Sequence, residues 1–223
     1  MKKIFLTTCC FVLGFGTFLF AQDEGQKANT VNLQLSAMSY GDSIVLRWGY
    51  DRSSAWRTLN EHGFILERLS LDENNQVQGE SFQRLTDEPI KPWPLERWEL
   101  AEKTDNNFAM LAAQCLYGKS FELSSASSQV EFMQDQADEA QNRFAFAMFA
   151  ADVSPLAADG LGLRYVDKNT EPGMKYIYRL YSLHPQTFFS TDTILYVINA
   201  SDVYKPRAPK QLKAVEGDRK SVV

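Results

Sequence analysis

Cysteine is nearly absent from this 223-residue chain: Cys9 and Cys10 sit at its start and Cys115 stands alone in the rest. With the leader described below removed, one thiol remains. No internal disulfide can then form, and the fold has to be held by its apolar core. Histidine is scarcer still, with only His62 and His184. No His-x-His, His-Glu-x-x-His or Cys-x-x-Cys spacing occurs, which argues against a transition-metal site. A Ser-His-Asp set would have to recruit one of those two histidines, and no Gly-x-Ser-x-Gly elbow surrounds any serine. The stretch "DGLG" (159–162) is no phosphate loop, because no helix N-terminus is expected after it. "DENN" (72–75) lacks the Gly and distal Glu of a calcium loop and reads as a hairpin turn. No cofactor is therefore expected. Basic blocks are missing as well. The formal net charge is −5, and −7 without Lys2 and Lys3, so neither nucleic acid nor anionic lipid is expected as a main partner.

What is present begins with an export signal. Lys2 and Lys3 precede the apolar run "IFLTTCCFVLGFGTFLF", which ends in Ala21-Gln22. That layout reads as a signal peptide over 1–21, cleaved after Ala21, leaving a polar tail over 22–29. A membrane anchor is the competing reading. The run is about 18 residues, at the lower limit for a span, and no basic stop-transfer cluster follows it. No membrane span is expected after signal removal, and the mature chain is expected to be secreted or at the cell surface.

Period-2 alternation then dominates two regions. "TVNLQLSAMSYGDSIVLRWGY" gives two strands around Tyr40-Gly41-Asp42, with Ile44, Leu46 and Trp48 on the buried side. "DRSSAWRTLNEH" reads as a loop containing at most a helical turn. "GFILERLSL" gives a third strand with Phe64 and Leu66 inward, followed by a more polar edge strand in "QVQGESFQRLT". The alternation resumes at "LGLRYVDKN" and runs through "EPGMKYIYRLYSL" and "TDTILYVIN". In the middle stretch Tyr176, Tyr178 and Leu180 share one face behind a Pro-Gly turn.

Between the two regions the period changes to that of a helix. Residues 94–117 carry apolar positions at Trp98, Ala101, Phe108, Leu111, Ala112 and Cys115, and end at Gly118. "TDNN" (104–107) is expected to break this run in two. Ser128 to Glu131 match a capping box, and Val130, Met133, Ala137, Ala140, Phe144, Ala147 and Ala151 follow a 3-4-3-4 spacing that Pro155 ends. Strands, helices and strands in that order read as one β-domain (30–205) with a helical block inserted at about 96–160. Excising the block is expected to leave a folded sandwich.

Three of these pieces carry a resemblance. "SIVLRW" resembles strand B of a fibronectin type III domain, with Trp48 as its inward tryptophan. "YVDKNTEPGMKYIYRLYSL" is similar to strand E, the turn and strand F, with Tyr176 at the tyrosine-corner position, and "TILYVIN" fits strand G. "RAPKQLKAVEGDRKSVV" resembles the start of a second such domain, truncated over 206–223. The resemblance implies a mainly β, immunoglobulin-like sandwich whose core contains Trp48, Phe64, Leu66, Tyr176, Tyr178 and Leu180. It departs from the family at the helical block. Secreted multidomain proteins of Bacteroidota have a similar layout, including a leader ending in "LFAQ".

For function, the resemblance implies a secreted, non-enzymatic module for protein–protein interaction or architecture at the cell surface. The alternative is an accessory domain, a spacer or carbohydrate-binding unit, of a larger surface enzyme. Cys115 lies on an apolar stripe and reads as a buried, inert thiol. Asp135, Asp138 and Glu139 read as a solvated helix face. The candidate binding residues are aromatic. Trp93 and Trp98 in "KPWPLERW" read either as anchors of the helical block or as a platform for a protein or sugar ring. Phe146 and Phe149 fall off the regular stripe of the long helix and are candidates for a docking patch.

Overall fold

A computed structural model describes residues 29–102, 106–118, 129–203 and 205. The leader, the tail up to residue 28, the Ser128 cap and the segment 206–223 lie outside the described residues. Strands β1 (Thr30–Val31), β2 (Leu33–Ser39) and β3 (Ile44–Tyr50) come first. They are followed by helix α1 (Trp56–His62), then β4 (Ile65–Leu71) and β5 (Val77–Arg84). Four helices come next: α2 (Leu95–Glu102), α3 (Asn107–Tyr117), α4 (Gln129–Val153) and α5 (Pro155–Gly160). Strands β6 (Arg164–Asp167), β7 (Lys175–Tyr181), β8 (Ser190–Thr191) and β9 (Ile194–Asn199) complete the order.

The long strands form two antiparallel sheets, ordered β2-β3-β6 and β5-β4-β7-β9, which give a β-sandwich-like architecture. Alternation decides which side chains fill the space between them. From β3 the inward set is Ile44, Leu46, Trp48 and Tyr50; from β7 it is Tyr176, Tyr178 and Leu180; all are buried. Phe64 and Leu66 meet them, with the Phe64 ring edge-on to Trp48 at 6.0 Å. Along one side the sandwich is closed by contacts between β2 and β9 at their ends. There β1 pairs in parallel with β8, and Ser39 Oγ donates to the Ala200 carbonyl at 2.6 Å.

Two polar features bind the sheets. The Pro-Gly turn closes through a bond from the Met174 N–H to the Glu171 carbonyl, and Gly173 supplies the positive φ (85°) that its position requires. Just past it, Tyr176 Oη accepts from the Glu171 N–H at 2.8 Å, so the inward ring is tied back to the turn. Asp167, buried on β6, accepts from Tyr178 Oη at 2.8 Å and from Arg68 Nη1 at 2.7 Å, both on the opposite sheet. Its other oxygen takes the Asn169 N–H at 3.0 Å, so the carboxylate is well supplied with donors.

The helical block differs from its sequence reading in several respects. Residues 53–62 are not a loop: a 3₁₀ turn leads into α1, which buries Trp56 and Leu59. Pro155 ends α4 by opening another helix, standing at its first position behind the Ser154 cap. The expected stripe holds on α4 at Phe144, Ala147 and Ala151, but Ala137 and Ala140 are exposed and Ala150 is buried instead. Phe144 packs 5.5 Å from Tyr50 and 6.3 Å from Trp56, which sets α4 over β3 and α1. On the other sheet, Tyr181 Oη donates to Glu67 at 3.1 Å. The helices and the sandwich share one continuous apolar cluster. Among the described residues no helix is long and apolar enough to cross a membrane.

Candidate partner-binding surface

The inner side of α4 is built from alanines. Ala147, Ala150 and Ala151 are almost wholly buried, and such small side chains let the helix lie close to α3 and the sandwich. The bulky apolar residues point the other way. Phe146, Phe149 and Val153 are 54%, 53% and 47% exposed, which is the opposite of what a solvated helix face carries. Spacings of three and four put them in one row on the outside of the helix. Phe108 of α3 extends the row, its ring edge-on to Phe149 at 5.9 Å.

Beside this row lies a groove of about 780 Å³. Its floor follows from the β2–β3 register. Gln34 faces Gly49, Ser36 faces Arg47 and Met38 faces Val45, and these six share the outer face of the sheet. The wall is the last two turns of α4, through Met148, Asp152 and Val153. Gly49 leaves open space where another residue would place a Cβ. Val153 thus belongs both to the exposed row and to the groove.

Charge fixes the wall to the floor. Arg47 and Arg164 are directly paired across β3 and β6, a repulsive arrangement on its own. Each is answered from the helices: Arg47 Nη2 meets Asp152 at 3.0 Å, and Arg164 meets Asp159 at 2.9 Å. Arg47 Nη1 also donates to the Ala151 carbonyl, in the last turn of α4 where a cation is favoured. Burial lowers the Arg47 pKa, with Asp152 opposing the effect.

The tryptophans behave differently from the two outward phenylalanines. Trp98 is 3% exposed and belongs to the core, so as a surface candidate it is corrected to an anchor of the helical block. Trp93 is half-buried, its ring 5.4 Å from Trp98 and covered by the Arg97 guanidinium at 4.0 Å. Trp98 therefore offers no open face on which a sugar could stack, and the Arg97 guanidinium occupies one face of Trp93. Neither the known family models nor the curated proteins give a match to this chain.

Among the described residues no group of three or more His, Cys, Asp or Glu side chains is arranged to hold a metal ion. Cys115 is buried; burial pushes its thiol pKa up, with Arg143 pulling the other way. Asp138 is exposed, and Glu139 pairs with Arg143, whose guanidinium also donates to the Gln114, Cys115 and Gly118 carbonyls at the end of α3. The side chain of Asp135 is outside the described residues. Asp72 accepts from the N–H groups of Asn74 and Gln76, which makes "DENN" a side-chain-braced turn. The groove was invisible in the sequence because its parts come from residues 34–51 and 148–164, which no local pattern connects.

Proposed function

We propose that this chain is an exported, non-enzymatic β-sandwich module of the fibronectin type III kind that docks a protein partner at the cell surface through the α4 row and its groove. The sandwich part of this reading is supported by strand order. In immunoglobulin-like sandwiches strands A, B and E share one sheet and C, F and G the other. The corresponding strands here are β2, β3 and β6 against β4, β7 and β9. The bond from the Glu171 N–H to Tyr176 Oη has the character of a tyrosine corner.

One observation carries the docking part: Phe146, Phe149 and Val153 stand outward in a row on a helix whose inner face is already filled. Aligned apolar surface of this kind is unfavourable in water until something covers it. A fully covered aromatic ring buries about 150–250 Å². Two rings and a valine therefore give the apolar centre of an interface, and the adjoining groove supplies the rest of the roughly 800 Å² that a stable partner needs.

The test compares wild-type protein with a Phe146→Ser, Phe149→Ser double variant. Each is used to capture partners from the envelope of cells that express it, and the captured protein is purified and titrated against both. Binding weaker by about tenfold or more in the variant is expected of hot-spot aromatics. Equal affinity would move the binding surface elsewhere.

A further inference from the structure

The chain's two histidines are brought within electrostatic reach of each other, one on α1 and one on the segment that follows β7. His184 lies in residues 182–189, a strap that carries the chain from β7 to β8. Its ring is 5% exposed and stacks on Phe189, with centroids 4.5 Å apart and planes 18° from parallel. Nε2 faces the Phe189 carbonyl oxygen at 3.4 Å, which a neutral ring satisfies by carrying its proton there. Nδ1 is buried without a partner, and so is Ser182 Oγ two residues earlier. His62 of α1 acts on the ring electrostatically and disfavours its charged form.

The strap has something to hold. At its end Ser190 and Thr191 pair in parallel with Thr30 and Val31, and the Ser190 N–H donates to the Asn29 carbonyl at 3.1 Å. Val31, 1% exposed, fills the end of the core beneath this pairing. The strap also carries two large apolar residues in solvent, Leu183 (62% exposed) and Phe188 (83% exposed).

We propose that the strap is an acid-sensitive latch, in which protonation of His184 frees residues 182–191 and releases β1 from β8. A second proton must go to Nδ1, where the N–H would be buried with no acceptor. The neighbouring His62 disfavours that charge further. The strain is relieved only when the ring leaves its place on Phe189 and takes the strap with it. The sign is consistent: burial lowers the His184 pKa, so the contribution to stability is whole above the ordinary histidine value and is lost as pH falls below it.

The experiment is amide hydrogen exchange on the full chain, corrected for intrinsic rates, with histidine ring titration followed by NMR. Protection at 30–31 and 190–191 should fall about tenfold between pH values of about 7.5 and 5.5, while the β3 and β7 amides keep theirs. His184→Phe, which preserves the stack, should abolish the fall. Unchanged strap protection in the wild type, or an equal fall in His184→Phe, would overturn the latch. If that variant does not fold, the wild-type ring decides: titration at the ordinary histidine value without movement of the strap signals also overturns it.

Discussion

The indole of Trp98 lies directly on Gly160: a Cβ added there would be 2.2 Å from Cη2 and 2.4 Å from Cζ2 of the ring. The two residues come from α2 and α5, the first and last helices of the inserted block. The Trp93 N–H donates to the Gly160 carbonyl at 2.8 Å, and the Trp93 carbonyl accepts from Trp98 Nε1 at 3.1 Å. Tyr117 Oη donates to that same carbonyl at 2.6 Å, which draws in α3. One indole on one glycine thus sets the block's closing geometry.

Gly160→Ala tests this through its sign. Alanine is the better helix former by about 1 kcal/mol, so an unhindered site would be stabilised. Overpacking against Trp98 should reverse that and cost about 1–3 kcal/mol. Chemical denaturation of Gly160→Ala, Trp98→Leu and the double variant completes a cycle. The double variant should be more stable than the two single losses added together.

The sandwich was legible because its signal is local. Trp48, Tyr176, Tyr178 and Leu180 each sit two residues from another inward side chain, and period-2 burial shows in a single strand. Trp98 was harder, since its partner Gly160 is far away in sequence and a glycine carries no hydrophobic signal. The error on Ala137 and Ala140 has a related cause. A regular spacing marks a possible face, but a long helix can outrun the body it packs on, and among the described side chains of α4 the buried ones lie at Ala147 and beyond. The outward Phe146 and Phe149 were readable because they broke that spacing, whereas the groove needed the β2–β3 register and α4 together.

Alkaline pH should reveal the buried tyrosines. Burial raises the Tyr178 pKa, with the Asp167 carboxylate adding to the effect, and burial alone raises that of Tyr50. Each phenol therefore ionises more readily in the unfolded chain. Their contribution is whole below the ordinary tyrosine value of about 10 and is lost as pH rises above it. Denaturation midpoints should fall steeply above that value, and less steeply in Tyr178→Phe. The same variant should lose about 1–3 kcal/mol at neutral pH, because Asp167 gives up one of its buried donors.

Tyr176→Phe removes only the hydroxyl that takes the Glu171 N–H. The expected cost is about 1 kcal/mol, since one hydrogen bond is lost and the ring stays packed. Exchange of the Glu171 amide should quicken more than that of its neighbours in β7. A uniform change along β7 would mean that the hydroxyl supports the whole strand and not the turn.

Replacing residues 96–160 by a short Gly-Ser linker is expected to unfold the protein, contrary to what an insertion in a self-sufficient sandwich suggests. The deletion removes Trp98, Phe144, Ala147 and Ala151 from a cluster that also contains Trp48, Phe64 and Tyr178. Tyr50 and Trp56, 6% and 8% exposed, would lose the Phe144 ring that covers them. Arg47 and Arg164 would face each other without Asp152 and Asp159. Uncovering a large apolar side chain costs about 1.5–3 kcal/mol. Several such losses together reach the roughly 5–15 kcal/mol that holds a domain of ordinary stability. Circular dichroism through a thermal scan should therefore show no cooperative transition in the deleted chain. A sharp transition with dispersed amide signals would instead mean that the sandwich stands alone. In that case the helices are an appended platform for Phe146 and Phe149, and the shared core is a convenience of packing.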